Sequence, residues 1–265
     1  MLTLNETLLS QINQSQTKVT ATKKPGKYLV SSMLAGMFVG IAVVLMLSTT
    51  GPFAVKGDPV AKLVSGGVFA VGLVLVVFAG AELVTSAMMI LTQGALEKRI
   101  LWRQWCITLL FCFTGNFLGS MLFSLAVVHS GVLQYNGAAG EYLATMLEGK
   151  TGATWLELLL RAILCNILVC LAIWSANRCK TEIGKVTVIF WCLLAFVASG
   201  FEHVVANMTS FSLGVFSSPS LVTWGDFARN MGIVGLGNLI GGALFVGVAY
   251  WYVASPAKDA ERVLA

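Results

Sequence analysis

The amino-acid sequence predicts an all-α membrane protein with six transmembrane helices, folded as two inverted three-helix repeats whose second and fifth spans are broken. Three observations predict it. The composition is too apolar for a water-facing surface, the apolar residues fall into six runs of bilayer length, and two polar motifs recur in order at nearly one offset. Of 265 residues, 57% are hydrophobic and 11% charged, and the mean hydropathy is +0.84. A soluble domain carries about a quarter charged residues, so lipid is the solvent that fits this side-chain surface.

A helix needs roughly 20 apolar residues to cross the hydrocarbon core. The runs that qualify are Tyr28–Leu47, Leu63–Thr92, Trp102–Val128, Leu156–Ala176, Val186–Leu213 and Asn230–Val253. Trp102, Trp155, Trp174 and Trp251 fall near span ends, where tryptophan prefers the interface. Residues 1–27 are polar and partly amphipathic. They lack the apolar core of a signal peptide, so this segment is expected to be retained. The organisation that follows is a cytoplasmic N-terminal segment 1–27, a first transmembrane repeat 28–128, a periplasmic connection 129–155, a second repeat 156–253 and a cytoplasmic tail 254–265.

Orientation comes from the basic residues. Lys18, Lys23, Lys24 and Lys27 precede span one. Lys98, Arg99 and Arg103 join spans two and three; Arg178, Lys180 and Lys185 join four and five; Lys258 and Arg262 follow span six. That places 12 of the 17 Lys and Arg on one side. The positive-inside rule then puts both termini in the cytoplasm, and the expected location is a bacterial inner membrane. The net charge of +5 is topology, and no basic stripe interleaved with aromatics points to nucleic acid. The six cysteines form no C-x-x-C and have no histidine at ligand spacing, so they are read as small buried apolar residues with no metal implied.

The long second and fifth runs each carry a polar interruption. One reads Gly80-Ala-Glu82-Leu-Val-Thr85-Ser-Ala-Met88, the other Gly200-Phe-Glu202-His203-Val-Val-Ala-Asn207-Met208, and both obey G-x-E-x-x-x-x-x-M. The next spans hold Gly115-Asn116-Phe-Leu-Gly119 and Gly237-Asn238-Leu-Ile-Gly241. The offsets are 120 and 122 residues. Three spans per copy is an odd number, so the copies enter the membrane from opposite sides, and matching interruptions mark a transport site. A broken helix exposes fresh N–H groups with a positive partial charge, which attract anions. Gly80, Glu82, Gly200 and Asn207 are therefore helix-break residues. Glu82 and Glu202 are expected to pin the breaks by accepting from the freed N–H groups; a direct ion-binding role is the alternative. The glycine pairs of spans three and six are read as close helix packing.

An ionisable group inside a span is costly, at about 2.5–3.5 kcal/mol or more on insertion scales, and is a functional hypothesis by default. His203 is the sharpest candidate because imidazole gains or loses a proton near cellular pH. Its proton or a hydrogen bond would lower the cost of desolvating a small weak-acid anion. Thr85 at the matching break would donate a second hydrogen bond, unless its hydroxyl bonds back to its own helix. Nucleophile constellation, metal cluster and cofactor loop are all missing from the sequence, so the chain is not read as an enzyme and no cofactor is implied. A neutral-solute channel for water or glycerol is the alternative that the repeat alone would allow.

The run Ala198-Ser-Gly-Phe-Glu-His-Val-Val-Ala-Asn-Met208 resembles the signature of the formate/nitrite transporter family. So do Pro25-Gly-Lys27, Gly80-Ala-Glu-Leu-Val-Thr-Ser86 and Cys165-Asn-Ile-Leu-Val-Cys-Leu-Ala-Ile-Trp174. The resemblance covers residues 18–253. It implies a homopentamer of aquaporin-like protomers, each with its own pore for nitrite or formate, hydrosulfide being the alternative substrate. It implies pore and proton-relay roles for His203, Thr85 and Glu202, and constrictions at Phe69 and Phe196 outside and Leu73 and Leu83 inside. It implies a vestibule role for Lys150, pore roles for Asn166 and Asn238, and a cytoplasmic cover in residues 1–27. Val84 and Val204 depart from the family, which often has Phe and Ser there.

Overall fold

The computed structural model describes residues 1–217 and 219–255. They are all helical, with no strand among them. An amphipathic N-terminal helix, α1 (Leu4–Ala21), starts on a capping box in which Thr3 and Glu6 satisfy each other's backbone N–H. The first long helix, α2 (Pro25–Ala54), places Pro25 at its first turn, where a missing N–H costs nothing. Then come α3 (Val60–Leu75), continued by a wide π turn over Val76–Gly80, and the short α4 (Val84–Leu96). α5 (Trp102–Ser130) ends at Gly131, whose φ of 72° is the left-handed C-cap that glycine adopts freely. A connection of two helices follows, α6 (Val132–Tyr135) and α7 (Gly137–Gly152).

The second half begins with α8 (Trp155–Arg178), opened by a Thr154–Glu157 capping box, and α9 (Glu182–Ala198). The short α10 (Val204–Phe216) follows, then α11 (Trp224–Leu239). α11 runs through a π segment, Ile240–Val248, into α12 (Ala249–Ala254). Among the described residues, five helical stretches are long and apolar enough to cross a membrane: Pro25–Ala54, Val60–Gly80, Trp102–Ser130, Trp155–Arg178 and Trp224–Ala254. The run Val186–Leu213 is split between α9 and α10, and Leu63–Thr92 between α3 and α4, at the two polar interruptions.

Packing follows small residues. α2 lies against α5 and α3, α8 against α11 and α9, and α3 against α9. A methyl on Gly119 would overlap the carbonyl of Met33, and one on Gly241 the carbonyl of Ile163. The glycines of G-N-x-x-G therefore let α5 ride on α2 and α11 on α8 at backbone contact, as expected. The π segment brings Gly242 against Asn166, Cys170 and Met88, where a side chain would not fit. Such wide turns are frequent at functional positions.

In the N-terminal segment α1 packs on α4, and 129–155 are mostly helical. Two expectations are corrected. Trp174 is buried against Tyr250 with ring centroids 4.4 Å apart, so it is a core residue and not an interfacial one. Cys112, Cys165 and Cys170 are buried, but Cys106 is exposed, and all six thiols are free. Lys258 and Arg262, counted in the orientation, lie outside the described residues.

Candidate functional site

The two interruptions have one construction. Gly80 and Gly200 take φ values of 81° and 75°, a region that disfavours any Cβ, and the chain leaves helical geometry there. Three extended residues follow before α4 and α10 start. The freed donors are then collected. The N–H of Glu82 donates to the carbonyl of Ser31 at 3.2 Å, and that of Glu202 to the carbonyl of Arg161 at 3.3 Å. The N–H of Val84 donates to Asn116 Oδ1 at 2.9 Å, and that of Val204 to Asn238 Oδ1 at 2.8 Å.

Each asparagine also uses its amide donors. Asn116 Nδ2 donates to the carbonyls of Ser32 and Glu82, both at 2.8 Å. Asn238 Nδ2 donates to those of Ala162 at 2.7 Å and Glu202 at 2.9 Å. One side chain thus ties the break to the neighbouring long helix and caps the new one. The role expected of the glutamates belongs to these asparagines. The reason is length: an asparagine one helix away reaches the N–H without bending back, and the carboxylates turn outward to cations. Asn238 is buried with its oxygen and its amide committed to the break. Asn166 is equally buried, and its Nδ2 donates to the carbonyls of Thr85 at 3.2 Å and Asn238 at 2.7 Å. Both are framework residues of the site.

The glutamates each hold a lysine. Lys150 from α7 lies 2.7 Å from Glu202 Oε2, and Asn207 Nδ2 donates to the same oxygen at 2.6 Å. Lys18 from α1 lies 2.6 Å from Glu82 Oε2. Both pairs are largely buried. In such a setting loss of one partner costs about 3–5 kcal/mol, because the other charge stays behind.

The breaks meet in the interior. His203 is the N-cap of α10, and its Nδ1 accepts from the N–H of Ala206 at 3.2 Å. A backbone N–H can only donate, so Nδ1 holds the lone pair and the proton of the neutral ring sits on Nε2. Nε2 is 3.0 Å from Thr85 Oγ1 on α4. It therefore donates to the threonine, leaving the hydroxyl proton free to donate onward. Thr85 takes His203 as its partner, and not a carbonyl of its own helix.

Two cavities approach this pair. One, of about 260 Å³, is lined by Phe69, Phe196, Lys150, Arg161, Glu202 and His203 among others. The other, of about 370 Å³, is lined by Lys18, Val76, Gly80, Glu82, Ser86 and Asn177 among others. A gap of about 10 Å³ beside His203 is lined by Phe69, Leu73, Leu83 and Phe196, together with Val39, Val169 and Leu193. Phe69 and Phe196 meet edge to face with centroids 5.7 Å apart, and Phe196 stacks at 6.0 Å on the His203 ring. That gap has room for one water at most, since a water needs about 10–15 Å³ by the same measure, and apolar side chains and one imidazole close around it.

The chain matches the model of the family described as formate/nitrite transporter over residues 5–252. It is a member of the formate/nitrite transporter family. It is 37% identical to the nitrite transporter NirC of Escherichia coli over 247 residues, covering 90% of this chain and 87% of that protein. It is 34% identical to the formate channel FocA of the same organism, covering 88% of each. A solved structure titled an FNT family ion channel superposes with a TM-score of 0.85 at 34% identity, covering 95% of this chain and 99% of that one. A pentameric formate channel with formate bound superposes with a TM-score of 0.77 at 29% identity, covering 88% and 98%.

Within the family's fold, the residues expected at the pore come together with two exceptions. His203, Thr85, Glu202, Lys150, Phe69, Phe196, Leu73 and Leu83 line one cavity, the gap or the bridge between them. Asn166 and Asn238 stand behind it. Sequence reasoning missed the capping role of Asn116, the pairing of Lys18 with Glu82, and Arg161 at the Lys150 cavity. For the first, the signal was present in the recurrence of G-N-x-x-G.

Proposed function

We propose that this chain is a pore for small monovalent anions of the nitrite and formate class, in which a neutral His203 lowers the desolvation cost by hydrogen bonding. The observation that carries the reading is the Thr85–His203 bridge, set where two broken spans meet between two cavities. The anion enters the Lys150 cavity, accepts from Thr85 Oγ1–H or His203 Nε2–H, and crosses the Phe69, Phe196, Leu73 and Leu83 constrictions. Protonating Nδ1 would set N–H against the N–H of Ala206 and lose a cap worth about 0.5–2 kcal/mol. The imidazole therefore acts as a neutral donor, and the proton that accompanies a weak acid comes from the solvent.

In this reading α2–α5 and α8–α12 are two inverted copies, the broken α3/α4 and α9/α10 pairs completing six spans. Matched contacts support it: Gly80 with Gly200, Asn116 with Asn238, and Lys18 with Lys150. Basic residues place both termini in the cytoplasm of an inner membrane, so the Lys150 cavity opens outward and the Lys18 cavity inward. The protomers assemble as a homopentamer, as in the structurally similar formate channel.

The test is anion flux into proteoliposomes holding the purified chain, with nitrite, formate and hydrosulfide compared and glycerol as control. Nitrite or formate should pass selectively, and faster as pH falls. His203→Ala should cut that flux about tenfold or more, the equivalent of one hydrogen bond of about 1.4 kcal/mol at the barrier. Glycerol passing as readily, or anion flux untouched in His203→Ala, would overturn the reading.

A further inference from the structure

The Lys150 cavity contains two cations, and they differ in availability. Lys150 is spent: its ammonium sits on Glu202 Oε2, the carboxylate takes a further bond from Asn207, and both side chains are nearly enclosed. An ion pair compensated in this way presents little net field to the cavity. Arg161 on α8 lines the same cavity with a side chain 40% exposed. Its only acidic contact among the described residues is Glu157 Oε1 at 3.7 Å, one turn earlier on the same helix. That carboxylate is itself half exposed and committed through Oε2 to Thr154, whose N–H and hydroxyl both donate to it at 2.8 Å. Of the five N–H donors of a guanidinium, most are therefore open to a ligand.

The position is also not arbitrary. The carbonyl of Arg161 receives the N–H of Glu202 at the break, so the residue is anchored beside His203 by its own backbone. At the matching place in the first half, the N–H of Glu82 goes to Ser31, an uncharged residue. The Lys150 cavity is thus lined by one compensated pair and one further cation, and the cavity that shares Ser31 and Glu82 with the Lys18 cavity is lined by Lys24 and Lys27.

We propose that Arg161, not Lys150, is the residue that recruits the anion, a small planar monovalent oxyanion such as a carboxylate or nitrite, to the outer mouth. The inference rests on the anion-pore reading above. A planar fork of donors suits two oxygens of one anion better than a point charge does.

The experiment measures initial flux of formate and nitrite against concentration in proteoliposomes of known protein orientation, at low and at high salt. Arg161→Gln should raise half-saturation from the outer side about threefold, the effect of one charge removed at roughly 7 Å in water. The maximal rate and the half-saturation from the inner side should stay as they were. The salt dependence of outer-side entry should be lost in Arg161→Gln and kept in Arg161→Lys. A second variant acts in the opposite sense. Glu157→Gln preserves the capping box, since glutamine serves at that position, and frees Arg161 further, so outer-side half-saturation should fall. Unchanged half-saturation and salt dependence in Arg161→Gln, or an equal change from both sides, would overturn the proposal. Absence of anion flux in the unmodified chain would instead overturn the pore reading itself.

Discussion

At the scale of single residues, two asparagines do most of the structural work of the site. Asn116 and Asn238 each satisfy one helix N-terminus and two carbonyls in an environment with no water to replace them. Asn238→Ala should therefore lower stability by about 2–4 kcal/mol, combining a lost cap with buried groups left unsatisfied. Asn116→Ala should do the same within about 1 kcal/mol, since the geometry is duplicated. Thermal unfolding in detergent checks both, and a large difference between them would count against equivalent breaks. The Lys150–Glu202 pair supplies a second prediction. Lys150→Met strands a buried carboxylate and should cost about 3–5 kcal/mol, and adding Glu202→Gln should restore much of it. If Lys150→Met is neutral, the pair is better solvated than its burial indicates. Both asparagines are plain in the sequence as the recurring G-N-x-x-G. Their glycines read as packing residues and do pack, but the sequence points to the glutamates at the breaks for the cap that these asparagines make. A motif on the next span, some 30 residues from the helix it caps, gives no local sign of that partnership.

Elements show where the sequence is eloquent and where it is silent. Spans were legible because a lipid-facing helix must be apolar along its length, and the breaks because a glycine and a glutamate inside such a run are costly. The docking of α1 was not legible. Its buried face carries Thr7, Gln11 and Ser15 beside Leu8 and Ile12, so hydropathy does not separate it from an exposed tail. That face is also weakly tied: the side-chain amides of Gln11 and Gln93 are buried without a hydrogen-bond partner among the described residues, at about 1–3 kcal/mol per unsatisfied group. Its polar ties are Lys18 on Glu82, the N–H of Leu2 to the carbonyl of Arg178 at 2.8 Å, Arg178 Nε to the carbonyl of Leu2 at 3.2 Å, and Asn5 Nδ2 to the carbonyl of Ala254 at 3.3 Å. A methyl added at Gly94 of α4 would overlap the Ser15 hydroxyl. Gly94→Ala should thus lift α1 off α4, exposing Lys18 to trypsin and speeding anion flux through the Lys18 cavity. Adding Ser15→Gly should reverse both effects. Resistance to trypsin unchanged in Gly94→Ala would mean that α1 accommodates the methyl by sliding.

For the whole molecule, the path is the informative feature. The Lys150 cavity, the gap at His203 and the Lys18 cavity are all built from one chain. Outward-facing helix surfaces are instead apolar, with Leu110, Leu164, Trp191 and Tyr252 exposed, as suits contact with lipid or with another copy. An assembly of five protomers should then conduct as five independent pores. Leu73→Trp places a larger ring in a gap of about 10 Å³ and should abolish flux while leaving assembly, checked by native mass spectrometry, intact. When Leu73→Trp and unmodified chains are co-expressed and purified as mixed assemblies, flux should fall in proportion to the blocked fraction. A pore shared along the axis of the assembly would respond differently. One blocked chain would then disturb all five, and flux would fall far more steeply than the blocked fraction, or not at all if the axis were untouched by position 73. Proportionality follows only if each chain carries its own two cavities and its own histidine between them.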